Sequence, residues 1–115
     1  MHEYMFASWI INELKKQISP EELGRPVLVK VKLSPLSHVT PEGLQGTFAL
    51  LAETENIKGV RLSIEPMAFE ISCRSCGHVF KSTRPVINCP ACKSIDFGIK
   101  KNQEFSIESL QVFDD

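Results

Sequence analysis

Two cysteine pairs, Cys73-x-x-Cys76 and Cys89-x-x-Cys92 with twelve residues between them, constrain the fold of this chain more than any other feature. Each Cys-x-x-Cys turn presents two sulfurs to one ion, and two such turns complete a tetrahedral four-thiolate shell for Zn²⁺ that leaves no position open for substrate. The predicted zinc is therefore structural. Gly77 follows the first pair, where a tight knuckle often needs positive φ, and Pro90 stiffens the second. Two disulfides would need an oxidising compartment, and the sequence shows no secretory signal ahead of the cysteines; a redox Cys-x-x-Cys would not need a second pair.

A chain of 115 residues can build one modest hydrophobic core with a metal-stapled annex, but not two large independent domains. At 43% apolar and 23% charged residues it reads as an ordinary globular protein. The formal charge of −1 counts the cysteines as neutral, and four thiolates around one Zn²⁺ lower it to about −3. That balance disfavours a nucleic-acid partner held by phosphate contacts. The apolar stretch from Met5 to Ile11 is too short for a membrane span and runs into Asn12, Glu13, Lys15 and Lys16. A cytoplasmic protein with no membrane partner is expected.

Phe6, Ile10, Leu14 and Ile18 recur at spacings of four, so a helix is predicted from about Tyr4 to Ile18, closed by Ser19-Pro20. Glu3 at its start and Lys15 and Lys16 near its end suit the helix dipole. Val27, Val29, Val31 and Leu33 alternate with more polar neighbours and read as a strand. Thr40-Pro41-Glu42 supplies an N-cap, a first-turn proline and an early acid for a second helix with Leu44, Phe48 and Leu51 on one face, although Gly43 and Gly46 weaken its first turns. A second strand follows Gly59, and short hairpin strands are expected around the metal from Phe69, Ile71, Val79 and Phe80. In the tail the alternation slips a phase between Ile107 and Leu110, which a bulge near Ser109 would explain. The predicted fold is α+β, a small three-stranded sheet with two helices plus an inserted zinc ribbon. The division is 1–66 with 103–115 for the α+β domain and 67–102 for the ribbon.

At a free amino terminus, Met1-His2-Glu3 assembles donors that are otherwise scattered. The amine, the deprotonated amide nitrogen of His2 and its imidazole Nδ1 can form fused chelate rings on one ion, and such near-planar nitrogen sites favour Ni²⁺ or Cu²⁺ over tetrahedral Zn²⁺. The bulk of His2 should hinder removal of Met1 and so preserve this register. The fourth position could take the Glu3 amide, its carboxylate, water or a second histidine. Against this stands the plain reading of His2 as an exposed residue with no ligand role.

The remaining candidates are weaker. His38 lies in the loop before the second helix and reads as a solvated side chain, while His78 is expected to pack beside the first knuckle. Ser37 and His38 adjoin without an identifiable acid partner, and no GxSxG elbow, phosphate-binding glycine loop or HExxH helix is present. Glu21-Glu22 and Asp114-Asp115 are most simply solvated charge, and the aromatic stretch Phe6 to Trp9 reads as core.

The ordered combination of Met1-His2-Glu3 running into a helix, the Leu-x-x-Leu-Ser-x-Val-x-Pro-Glu segment from Leu33 to Glu42, the two cysteine pairs and the Ile-x-Ser-Leu-x-Val tail from Ile107 to Val112 resembles the HypA family. The resemblance implies a nickel metallochaperone for nickel-iron hydrogenase and, in some organisms, urease. It implies His2 as the principal nickel ligand, with the Met1 amine and backbone nitrogens completing the shell and Glu3 tuning it. Cys73, Cys76, Cys89 and Cys92 match the family's structural zinc ligands. It further implies two partners, a nickel-handling maturation GTPase and the hydrogenase large subunit, and no catalysis by the chain itself. Two departures stand out. Leu33-Ser34-Pro35-Leu36-Ser37 replaces the common Leu-Gly-Glu-Leu-Ser, and Lys93 follows the second knuckle where glycine is common. The competing readings are a zinc-ribbon adaptor binding protein or nucleic acid, and a small zinc enzyme, which the closed thiolate shell disfavours.

Overall fold

A computed structural model describes residues 2–19, 21–100 and 103–113. The first helix, α1, spans His2–Gln17 and buries Phe6, Ala7, Ile10, Ile11 and Leu14, with Ile18 packed just beyond it. It begins two residues earlier than the periodicity predicts, because its first turn carries polar His2 and Glu3, which add nothing to the apolar pattern. Trp9 departs from its expected place in the core. Phe6 is 2% exposed but Trp9 is 46% exposed. The buried stripe centres on Ala7, Ile10 and Leu14, and Trp9 lies beside it, near Phe105 of the edge strand, where no further strand among the described residues covers it.

Strand β1, Val27–Leu33, turns Val27, Val29, Val31 and Leu33 inward, each at most 3% exposed. Helix α2, Pro41–Thr54, is capped by Thr40, whose Oγ1 accepts the Gly43 N–H at 3.0 Å, and it buries Leu44, Phe48 and Ala52. A turn through Asn56 and Gly59, both at positive φ, delivers the chain into β2, Val60–Pro66, which runs parallel to β1. Gly59 cannot readily be replaced. Its φ is +76° and a Cβ there would approach the Arg25 carbonyl oxygen at 3.4 Å.

The last strand, β6 (Phe105–Val112), pairs antiparallel with the other side of β1, so the sheet order is β2-β1-β6. Val31 pairs with Ile107 and Lys30 with Ser109, leaving Glu108 as the extra residue of a bulge. This rephasing lets Phe105, Ile107, Leu110 and Val112 all pack against the core. The two helices lie side by side with their starts at the same end. Glu3 packs on the first turn of α2, and at the far end Lys15 pairs with Glu55.

Between β2 and β6 the chain forms a separate sheet of β3 (Phe69–Cys73), β4 (Val79–Ser82) and β5 (Phe97–Lys100) in the order β4-β3-β5, with antiparallel neighbours. The observed class is thus α+β with two helices, a three-stranded sheet and an inserted cysteine ribbon. β5 goes beyond the predicted hairpin strands. Both connections to the ribbon are tied to the end of β1: Met67 N–H donates to the Leu33 carbonyl at 2.9 Å, and Ser34 N–H to that of Glu104 at 2.8 Å. Among the described residues, no helix is long and apolar enough to cross a membrane.

Candidate metal centres

The ribbon brings four cysteines into one cluster. Sγ of Cys73 lies 3.5 Å from Sγ of Cys92, that of Cys76 lies 3.7 Å from that of Cys89, and all four sulfurs fall within 4.8 Å of one another. A tetrahedron with zinc–sulfur bonds of about 2.3 Å has edges of about 3.8 Å, so the cluster has the size of a four-thiolate zinc shell. The same distances are far too long for S–S bonds of about 2.05 Å, and all four cysteines are free.

Two local turns of the same design build the cluster. In the first, Cys76 N–H points to Cys73 Sγ at 3.5 Å, Gly77 N–H donates to the Cys73 carbonyl at 3.0 Å, and Cys73 N–H to the His78 carbonyl at 2.8 Å. In the second, Ala91 N–H points to Cys89 Sγ at 3.4 Å, Lys93 N–H donates to the Cys89 carbonyl at 2.9 Å, and Cys89 N–H to the Ser94 carbonyl at 2.8 Å. Cys73 and Cys89 are buried, whereas Cys76 and Cys92 are exposed. Side chains brace the two turns together, through a 2.8 Å hydrogen bond between the Ser75 and Ser94 hydroxyls and a 3.0 Å ion pair between Arg74 and Asp96.

The amide groups divide the four thiols into two kinds. The Cys76 N–H, helped by that of Ser75, holds the Cys73 thiol down to about 6, and the Cys92 and Ala91 N–H groups lower Cys89 in the same way. At the second cysteine of each turn the His78 and Ser94 N–H groups also favour thiolate. There, desolvation and neighbouring sulfurs outweigh them, raising Cys92 and pushing Cys76 up to about 12. Cys73 is thus held as an anion at neutral pH and Cys89 is biased in the same direction, while the second cysteine of each pair has to give up its proton to bind a cation. His78 stays outside this cluster, stacked on Phe80 with ring centroids 5.4 Å apart.

The amino-terminal candidates are placed differently. Met1 lies outside the described residues. His2 is exposed in the first turn of α1, its ring 6.3 Å from that of Phe6, which stacks on Phe105 at 4.6 Å. Glu3 lies against α2: a Cβ on Gly43 would meet Glu3 Cγ at 3.5 Å and Oε1 at 3.6 Å. Gly43, weak on helix propensity, leaves room there for both the cap and the Glu3 side chain.

The structure also supplies an acid for Ser37, which sequence reasoning missed. Ser37 Oγ donates to Glu104 Oε2 at 2.6 Å, and the serine lies 67 residues from that acid in the chain. Because the serine donates straight to the carboxylate, His38 is not interposed and no nucleophile–base–acid relay forms. The contact instead ties the loop after β1 to the start of β6.

Comparison with known proteins agrees with this architecture. The HypA family, described as "Hydrogenase/urease nickel incorporation, metallochaperone, hypA", matches residues 1–112. The hydrogenase maturation factor HypA of Chlorobium limicola is 32% identical over 112 residues, covering 97% of each chain. That of Desulfitobacterium hafniense strain DSM 10664 / DCB-2 is 29% identical over 112 residues, covering 97% of this chain and 98% of its own. The solution structure of the nickel metallochaperone HypA from Helicobacter pylori shares the fold, with a TM-score of 0.57 at 22% identity and 98% coverage of both chains. A family match that runs from the first residue through β6, on a fold carrying a four-cysteine ribbon between β2 and β6, makes this chain a member of the HypA family of maturation metallochaperones.

Proposed function

We propose that this protein binds nickel at its amino terminus and delivers it during maturation of nickel-iron hydrogenase, with urease as the other class of client, without catalysing a reaction itself. The Met1 amine, the amide nitrogen and imidazole of His2, and Glu3 hold the cargo, and Cys73, Cys76, Cys89 and Cys92 hold one structural Zn²⁺. In this reading residues 1–66 with 103–115 form the nickel-binding domain and 67–102 the zinc ribbon. The protein works in the cytoplasm with a nickel-handling maturation GTPase and the hydrogenase large subunit. The exposed Val79, Ile87 and Ile95 of the ribbon suit contact with such proteins.

The observation that carries the reading is the placement of His2, exposed in the first turn of a helix in a chain matched to this family from residue 1. Amide groups in a first helical turn have no carbonyl one turn before them, so the His2 nitrogen can lose its proton to a metal without breaking an intrahelical bond. A planar chelate is incompatible with helical dihedrals, so loading unwinds that turn, at about 1 kcal/mol for each helix hydrogen bond given up. A multidentate nitrogen chelate exceeds that cost readily.

Calorimetric nickel titration of untagged protein tests the reading. His2→Ala should lose tight nickel binding while zinc content and circular dichroism stay unchanged. Cys73→Ser or Cys89→Ser should lose zinc and unfold the ribbon, since structural zinc contributes roughly 10 kcal/mol or more. Nickel binding by His2→Ala equal to that of the unaltered protein would refute it.

A further inference from the structure

The turn after β1 and the end of β2 border an apolar pocket that the metal chemistry leaves unused. Its volume is about 320 Å³, and its walls include Val39, Ile64 and the exposed rings of Pro35, Pro41 and Pro66. Small-molecule sites run from about 300 to 1,000 Å³, so a space at the bottom of that range suits one large side chain. Three hydroxyls also border the pocket, but each is engaged locally. Ser34 Oγ accepts the Leu36 N–H at 3.1 Å, Thr40 Oγ1 accepts the Gly43 N–H at 3.0 Å, and Ser37 Oγ accepts the Val39 N–H at 3.0 Å while donating to Glu104. The lining therefore offers apolar contact area, and proline rings, which have little side-chain freedom to lose, make that contact at low entropic cost.

Selection by charge comes from the ribbon. Thr83 closes part of the pocket and is followed by Arg84, whose backbone is fixed because Ser82 Oγ accepts its N–H at 3.0 Å and donates to its carbonyl at 2.7 Å. Residues 67–102 hold six Lys and Arg against two acids, whereas the rest of the chain holds seven against twelve. Both ribbon acids are engaged, Asp96 by Arg74 at 3.0 Å and Glu70 by Lys100 at 3.8 Å. Lys81 and Arg84, both exposed, form no ion pair among the described residues. A zinc-loaded thiolate shell reduces the ribbon's positive excess without reversing it. The one carboxylate lining the pocket, that of Glu65, belongs to a residue paired with Lys32 across β1 and β2. Pro35 stands where Leu-Gly-Glu-Leu-Ser carries an acid, so an apolar ring replaces a negative charge at this pocket.

We propose that the pocket docks a linear segment of a partner protein in which a large apolar side chain is flanked by carboxylates. The apolar side chain fills the space between the prolines, and the carboxylates meet Arg84 and Lys81 on the ribbon side. This surface goes beyond the nickel reading and does not depend on it.

A synthetic peptide with one Phe flanked by two Glu on each side in a Gly-Ser background tests the proposal, titrated into the zinc-loaded, ¹⁵N-labelled full chain. The amide signals of Val39, Ile64, Thr83 and Arg84 should shift together. Peptides with Lys in place of Glu, or Gly in place of Phe, should bind about tenfold more weakly or worse. Pro35→Glu and Arg84→Glu should each weaken the acidic peptide by a similar factor while zinc content and circular dichroism stay unchanged, and Arg84→Lys should bind like the unaltered protein. No shift at these four amides with millimolar peptide would overturn the proposal. Equal binding of the Lys peptide, or binding that survives both Pro35→Glu and Arg84→Glu, would overturn it as well.

Discussion

Lys93 occupies in the second cysteine turn the place that Gly77 occupies in the first, and it adopts the same left-handed backbone, with φ of +70° against +77°. Each follows the second cysteine of its pair and donates its N–H to the carbonyl of the first. The conformation is thus demanded by the knuckle and not by the residue. Lysine in this region costs about 1–2 kcal/mol, of which glycine's extra freedom in the unfolded chain would take back roughly 0.4–1 kcal/mol. Lys93→Gly should therefore stabilise the zinc-loaded ribbon by roughly 0.5–1 kcal/mol in denaturant unfolding. Gly77→Lys should destabilise it by a similar amount. A destabilised Lys93→Gly would mean that the lysine side chain makes a contact worth more than the strain.

Zinc loading should release fewer than four protons at neutral pH. Cys73, held down to about 6, is a thiolate before the metal arrives and Cys89 is lowered in the same sense, while Cys92, raised, and Cys76, at about 12, keep their protons. At pH 7.5 about three protons or fewer should appear per zinc, measured by calorimetry in buffers of different ionisation enthalpy. The sign for stability follows. Cys73 has a depressed folded-state value, so its contribution to the metal-free fold is complete above its ordinary value of 9.0 and is lost as pH falls through about 6. Release of all four protons at pH 7.5 would show that the amide groups do not prepare the first cysteine of each turn.

Phe105 joins the start of β6 to α1 through its stack on Phe6, with ring planes 8° apart, and it is 6% exposed. Phe105→Ala should cost about 3–5 kcal/mol, whereas Phe105→Leu, which keeps most of the volume, should cost much less. Unfolding of the zinc-loaded protein measures both. A loss below about 1 kcal/mol for the alanine variant would place the ring outside the cooperative core.

Local pattern made much of this architecture legible in the sequence. The spacing of Phe6, Ile10, Leu14 and Ile18 marked α1, and the phase slip between Ile107 and Leu110 revealed the bulge that the structure places at Glu108. The two cysteine pairs announced that four sulfurs would converge. What stayed hidden depended on contacts between distant segments. Strand order and the parallel pairing of β1 with β2 have no local signature. β5, Phe97–Lys100, contains a glycine and is stabilised by pairing with β3, so its sequence alone carries too little strand pattern. The exposure of Trp9 follows from where the sheet ends, and the hold of Glu104 on Ser37 spans 67 residues. One hidden feature did have a signal. The second knuckle repeats the first at an offset of 16, which maps Gly77 onto Lys93 and foretells a left-handed lysine.

The proposed amino-terminal nickel site is tested most directly by moving the amino group without touching any side chain. A two-residue Gly-Ser extension ahead of Met1 leaves His2, Glu3 and the fold intact but removes the amine from the chelate. Nickel affinity should fall by orders of magnitude, with any residual weak binding showing a different visible absorption spectrum. A histidine-free tag of similar size at the C-terminus should change neither property. Equal affinity and an identical spectrum in the extended protein would contradict backbone chelation at the amino terminus, even if His2 itself proved essential.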